Sequence, residues 1–468
     1  MTENNNSSIR IFSALGLWTV ILAALVVLAL ALFWLPPGLA VALLGGLALA
    51  GFFTVRLEYG LFALIFFLPA IHLTFSVHGL TINIVEIIGL LALSALAARI
   101  FFDFWQNRSI RLSWPVFWPF FLFFAVALVS ALISGQPGAS VWYAFRWILF
   151  FYLVYIFLPY NLIFYQRDPD ASRSVLKKAL AVFLASAALA AAGGFFSLIG
   201  QDFFQEFVRV KPLAIFGAYP LGDNHNLLVE IFLPAIFYCL ALENLSGKTG
   251  RKICRLLLVF LSVALLGTFS RGGWLALGLV SFVYLAIFYR PNWKKIIFPA
   301  LGAAAVFSPL LAYMYFQQTT SRVAVSSLDS RVVMTMIAWD GFKEKKLFGQ
   351  GPGQYINLVD KSIRFKAKFG EPLDAHGLGQ KIISENGLLG VLTFAFFALL
   401  IARRFWAAVR KHQSDWPWLA GVILAAAGIF FYEFFNTSYY KGKLWVPIAI
   451  ALAAAAWAEK QEKYEAKN

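Results

Sequence analysis

Apolar runs long enough to cross a bilayer recur along the whole chain, and they restrict it to a bundle of spanning helices. Hydrocarbon offers no water to satisfy free backbone groups, so a span is a helix of about 20 apolar residues. Runs near 11–35, 38–55, 60–77, 81–102, 116–134, 141–159, 176–199, 226–242, 254–269, 273–289, 296–316, 387–402, 417–435 and 443–458 fit this requirement. The expected fold is an all-α polytopic membrane protein with about 12–14 transmembrane helices. Composition agrees: 61% of residues are hydrophobic and 13% charged, against about 45–50% and about 25% in soluble domains. A membrane β-barrel is excluded because its strands alternate apolar and polar positions. The first run is too long for a cleavable signal, and Pro36-Pro37 turns it into a second span.

The chain carries 39 Lys and Arg against 23 Asp and Glu, a net charge of +16. Short loops rich in Lys and Arg face the cytoplasm. With the N-terminus inside, Arg56, Arg108, Arg111, Arg167, Arg173, Lys177, Lys178, Lys248, Arg251, Lys252 and Arg255 all fall on inner loops. The short turns near 36, 79 and 136 carry none. Both termini are therefore expected in the cytoplasm, and most of the excess charge is topological signal, not a nucleic-acid surface. The organisation reads as N-terminal transmembrane helices (1–200), an outer loop (201–225), further spans (226–316), a large, partly helical outer loop (317–386), and C-terminal spans with a tail (387–468). Two Cys and five His, with no HExxH or CxxC, suggest neither a disulfide framework nor a metal site, and no cofactor is implied.

The informative charges lie at the outer ends of spans. Arg146 and Glu86 each sit about one turn inside, either as a functional pair or as an ion pair holding helices together. In Thr268-Phe-Ser-Arg-Gly-Gly-Trp274, Arg271 stands at a helix start, where the dipole favours an anion, and two glycines permit close approach of a ligand. Its planar guanidinium suits phosphate oxygens, though a lipid headgroup would serve as well. Ser330-Arg331 opens a helical stretch in the large loop, with Asp329 or Ser330 as N-cap. The stretch ends in Leu347-Phe-Gly-Gln-Gly-Pro-Gly-Gln-Tyr355, which lacks the Lys-Ser/Thr ending of a P-loop. Asp374 reads as the N-cap of a later helix, placing His376 in its first turn, where imidazole can take a proton from a hydroxyl. His225 opens another span, and Lys441 lies at the outer end of the last. Trp274, Trp339 and Tyr355 are candidates to stack on sugars, or ordinary interfacial aromatics. A basic outer cluster with a histidine at the bilayer edge suits an amphiphile with an anionic head. An exporter of such a lipid would need a charged path across the membrane and internal repeats, and neither is visible.

In order, Asp223-Asn-His-Asn226 with Pro234, Ser270-Arg-Gly-Gly-Trp274, Arg331 with Trp339 and Phe348-Gly-Gln-Gly-Pro-Gly-Gln-Tyr355, and Ala375-His376 with Glu385-Asn-Gly-Leu-Leu-Gly390 resemble the O-antigen ligase and polymerase family. The resemblance covers roughly residues 205–400. It departs where members commonly have Asn after the histidine; here it is Gly377. The resemblance implies a metal-independent, inverting transferase of the C-type membrane glycosyltransferase architecture in the bacterial inner membrane. Such enzymes take a glycan from undecaprenyl diphosphate on the periplasmic face. Ligases pass it to a sugar of lipid A core; polymerases pass it to another carrier-linked repeat unit. By the same resemblance, Arg271, Arg331 and His376 are the essential residues.

Overall fold

A computed structural model of the chain describes residues 37–77, 80–165, 167–199, 201, 208–288, 308–309, 312, 316, 322–411, 416–436 and 439–465. Its helices are α1 (Pro37–Val55), α2 (Leu57–Phe67), α3 (Ile84–Trp105), α4 (Phe117–Leu132), α5 (Pro137–Phe164), α6 (Pro169–Phe196), α7 (Asn226–Leu245) and α8 (Lys248–Gly267). They continue with α9 (Arg271–Phe288), α10 (Arg322–Glu344), α11 (Tyr355–Lys361), α12 (Ile363–Phe369), α13 (Leu378–Lys411), α14 (Trp416–Glu433) and α15 (Gly442–Glu465). Among the described residues, seven helices are long and apolar enough to cross a membrane, and four shorter apolar ones accompany them. The chain is an all-α polytopic membrane protein. The expected span at 11–35, and nearly all of that at 296–316, lie outside the described residues.

Helix α7 is the centre of the bundle. Most of its residues are buried, and it packs on α6, α8, α9, α14 and α15. Helix α15 is similarly enclosed, whereas α1 lies at the edge against α3. Phe151 and Trp445 stack with ring centroids 4.6 Å apart, joining α5 to α15. Helix α5 carries two π-helical stretches, Ala144–Leu149 and Phe151–Phe157.

Three expectations need correction. The run at 60–77 is not one helix: α2 ends before Leu68-Pro69-Ala70, and Thr74–Val77 pairs antiparallel with Leu80–Asn83 as strands β1 and β2. Asn83 then caps α3 in a reciprocal box with Glu86, which sits in the first turn of the helix. Asp329 and Ser330 are not N-caps, because α10 already begins at Arg322. Asp374 is not one either: α13 starts at Leu378 and leaves His376 in the preceding turn.

The large loop folds over one end of the bundle. Val333, Met334, Ala338, Tyr355, Val359, Phe365 and Ala375 form its small core. A backbone joint fastens it down. Gln350 and Gly351 donate their N–H groups to the carbonyls of Ser384 (2.8 Å) and Glu385 (2.9 Å). Leu388 and Leu389 donate to the carbonyls of Lys346 (2.9 Å) and Leu347 (3.1 Å). The joint requires glycine on both sides. Gly349 (φ 72°) and Gly387 (φ 65°) adopt left-handed conformations, and Gly387 breaks α13. A Cβ at Gly349 would lie 2.5 Å from the Glu385 backbone, and one at Gly387 would lie 2.6 Å from the Gly349 nitrogen. The two glycine segments are thus halves of one structural contact.

Gly349→Ala and Gly387→Ala should each destabilise the protein by more than the roughly 1–2 kcal/mol of left-handed strain alone, because the new Cβ meets backbone. Gly379, with open space around it, should tolerate Ala or gain up to about 1 kcal/mol. Thermal unfolding in detergent tests this; similar midpoints for all three variants would contradict the joint.

Candidate functional site

The same end of the bundle gathers the starts of α7 and α9, the link from α14 to α15, and the Asp374–Gly377 segment. Its floor is polar. The Ser270 hydroxyl donates to Asn226 Oδ1 (2.7 Å), and the Tyr432 hydroxyl donates to the Asn226 carbonyl (3.1 Å). Ser270 Oγ accepts from the Gly273 N–H (3.3 Å) and so caps α9, which starts at Arg271. The left-handed residue of this turn is Phe269 (φ 54°). The two glycines serve packing: a Cβ at Gly273 would lie 2.8 Å from Val229, and one at Gly272 would lie 3.3 Å from the Tyr432 ring. They let α9 close on α7 and α14, which corrects their expected role in ligand approach.

Arg331 comes to this turn from α10. Its helix is tied to α13 by the Gln380 amide, which donates to Thr335 Oγ1 (2.6 Å). Burial lowers the Arg331 pKa; nearby Tyr432 opposes this and nearby Arg271 adds to it. Among the described residues neither arginine has a carboxylate in ion-pair range. Two guanidinium groups near each other without an acid among the described residues leave a local excess of positive charge. Lys441, close enough for its charge to act on His376, lies 3.7 Å from buried Glu230, which also takes Lys443 (3.3 Å) and the Asn436 amide (2.6 Å).

The Arg331 charge acts on both histidines. Burial, followed by the Arg331 charge, holds His376 below its usual range; Asp374 opposes the shift and Lys441 adds to it. His225 is pushed down to about 3 by burial, Arg209 and Arg331. Its Nε2 lies 3.4 Å from Arg209 Nη1. Both imidazoles are therefore neutral at pH 7, the state that accepts a proton. Gly377 sits tightly under the Phe434 carbonyl, 3.0 Å from where a Cβ would be, so this turn has little room for a side chain.

The segment carrying His376 is anchored by a network that motif reading missed. Lys381, almost fully buried, donates to both Asp374 oxygens (2.6 and 2.7 Å) and lies 3.6 Å from Glu385. Its ammonium also lies 5.5 Å from the Tyr143 ring centroid and 5.4 Å from that of Tyr440. Tyr440 donates its hydroxyl to Asp374 (3.3 Å), and the Ala375 N–H donates to the same carboxylate (2.8 Å). Burial raises the Asp374 pKa, but Lys381 outweighs it and leaves the carboxyl below its ordinary value.

The structure thus brings Arg271, Arg331, His376, His225 and Lys441 together. Other expected residues lie elsewhere. Arg146 and Glu86 pair with each other at 3.8 Å. Trp274 donates its indole N–H to the Leu266 carbonyl (3.2 Å). Trp339 is exposed on α10, two turns beyond Arg331. Tyr355 is fully buried and donates its hydroxyl to the Met334 carbonyl (3.0 Å), so it is a core residue with no free face for a sugar. Among the described residues no three His, Cys, Asp or Glu are grouped to hold a metal.

Lys381→Met would leave buried Glu385 and half-buried Asp374 without their cation, a loss of about 3–5 kcal/mol. Adding Asp374→Asn should recover part of it. Unfolding midpoints of the single and double variants check this, and strictly additive losses would contradict the network.

Residues 256–395 match the family model described as O-antigen ligase. That stretch includes Arg271, Arg331, His376, Lys381 and both halves of the glycine joint. No curated protein matches the chain. The helices make the chain a multi-pass membrane protein, and its residues 256–395 are similar to the O-antigen ligase family.

Proposed function

We propose that the chain transfers a glycan from undecaprenyl diphosphate to a sugar hydroxyl of lipid A core, on the periplasmic face of the bacterial inner membrane. The observation that carries this reading is the pairing of Arg271 with Arg331, without an acid partner among the described residues, beside the neutral imidazole of His376. The two guanidinium groups hold the diphosphate. His376 takes the proton of the acceptor hydroxyl. The acceptor oxygen forms a bond to the anomeric carbon as the bond from that carbon to the phosphate oxygen breaks, with inversion. The electron pair leaves on the diphosphate, where Arg271 and Arg331 meet the growing charge; Lys441 adds positive potential. Preorganised cations of this kind stabilise a leaving anion strongly in a water-poor site. The acceptor assignment follows the ligase family. A polymerase would use the same groups, and product analysis separates the two: one glycan block on lipid A core, or a ladder on the carrier.

With purified protein and lipid-linked donor, Arg271→Ala and Arg331→Ala should each lower transfer by about 10²–10³-fold. His376→Ala should lower it by about 10²–10⁴-fold. Activity should persist in EDTA, and loss on chelation would contradict an arginine-only diphosphate site. The depressed His376 pKa sets the pH dependence. Transfer should rise with pH through a value below 6.5 and stay flat across neutrality. A limb above 6.5 would show that another group takes the proton.

A further inference from the structure

A cavity of mixed polar and apolar lining lies between the β-hairpin and α5, and nothing in the diphosphate mechanism uses it. Its volume is about 320 Å³, and Thr74, Thr81, Asn83, Glu86, Arg146 and Trp147 line it. Strands β1 and β2 form one wall and the π-helical stretch of α5 forms the other. That stretch presents both Arg146 and Trp147 to the cavity. π-Helical distortions are frequent at functional sites. Trp147 packs on Tyr440 with centroids 4.8 Å apart, and Tyr440 reaches Asp374, two residues before His376. The cavity therefore opens one ring pair away from the histidine segment.

Its electrostatics differ from those of the arginine pair. Arg146 already has a carboxylate, Glu86, at 3.8 Å, and donates to the Thr81 carbonyl. Positive and negative charge balance here, so the cavity has no excess to attract a diphosphate. It offers donors and acceptors together instead. Glu86 Oε2 accepts the Asn83 N–H (3.0 Å), while among the described residues no donor is bonded to Oε1. The Arg146 fork, Glu86 Oε1 and the threonine hydroxyls match a ligand carrying adjacent hydroxyl groups, each both donor and acceptor.

We propose that this cavity is a pyranose subsite, holding a sugar ring of one of the two glycan substrates while its neighbour reacts at His376. The proposal rests on the glycan-transfer reading for which substrate supplies the ring. The balanced Arg146–Glu86 pair selects a polyol over an anion.

The test uses purified full-length protein in nanodiscs with three probes: undecaprenyl diphosphate without glycan, the carrier-linked glycan, and the free oligosaccharide of the acceptor. Glu86→Gln keeps the helix cap, because glutamine also accepts the Asn83 N–H, but removes the charge. It should raise KM about tenfold for the substrate whose sugar occupies the cavity. Affinity for the glycan-free carrier should not change. Thr74→Val, on an exposed strand, should act in the same direction without threatening the fold. A rise for the donor assigns the ring to the donor; a rise for the acceptor assigns it to the acceptor. Equal weakening of the glycan-free carrier would make the cavity a phosphate site and overturn the proposal, as would unchanged KM for both glycan substrates. If the wild type transfers nothing, saturation-transfer NMR with the free oligosaccharide decides the subsite alone. A signal lost in Glu86→Gln supports it, and no difference between variant and wild type overturns it.

Discussion

Backbone hydrogen bonds between a glycine loop and a broken helix hold the candidate site together. Gln350 and Gly351 bond to carbonyls just before the break at Gly387, and Leu388 and Leu389 bond back to Lys346 and Leu347. The loop leads out of α10, which carries Arg331, and α13 begins just after His376. Fixing one backbone against the other therefore sets the distance between the guanidinium and the imidazole. Side-chain contacts such as Gln380 to Thr335 then refine a geometry that the main chain has already imposed.

Charge inside this bundle comes mostly with a counter-charge. Lys381 has Asp374 and Glu385, Lys443 has Glu230, Arg167 has Glu58, and Arg99 has Asp103. A partly buried cation without an acid costs several kcal/mol, and Arg331 is held near another arginine. Folding does not favour that arrangement by itself. A binding anion would relieve it, and stability given up at a site of this kind is the usual trade for function.

The spans were legible because apolar length is a local property, and twelve of the fourteen expected runs contain or overlap a described helix. The one-sided clustering of Arg271, Arg331, His376 and Lys441 was legible for the same reason: span ends can be read from the chain. What escaped depends on distant neighbours. Strands of four residues within an apolar stretch carry no periodic signal long enough to separate them from a helix. Asp374 has the spacing of a cap, yet its carboxylate turns to Lys381. Gly272 and Gly273 look like room for a ligand, whereas Val229 and the Tyr432 ring fill that room. Tyr355 looks like a surface aromatic until Met334 and Phe365 close around it.

The break at Gly387 bears on how such proteins can diversify. The outer loop has its own small core and resembles a portable module, but its docking register is written into α13, on the far side of the sequence from Gly349. A loop transplanted from a relative without the matching stretch of α13 would arrive with its carbonyls facing the wrong donors. Variation in this region is therefore tied across nearly forty residues, and the loop is free to change alone only in the parts that the joint leaves untouched.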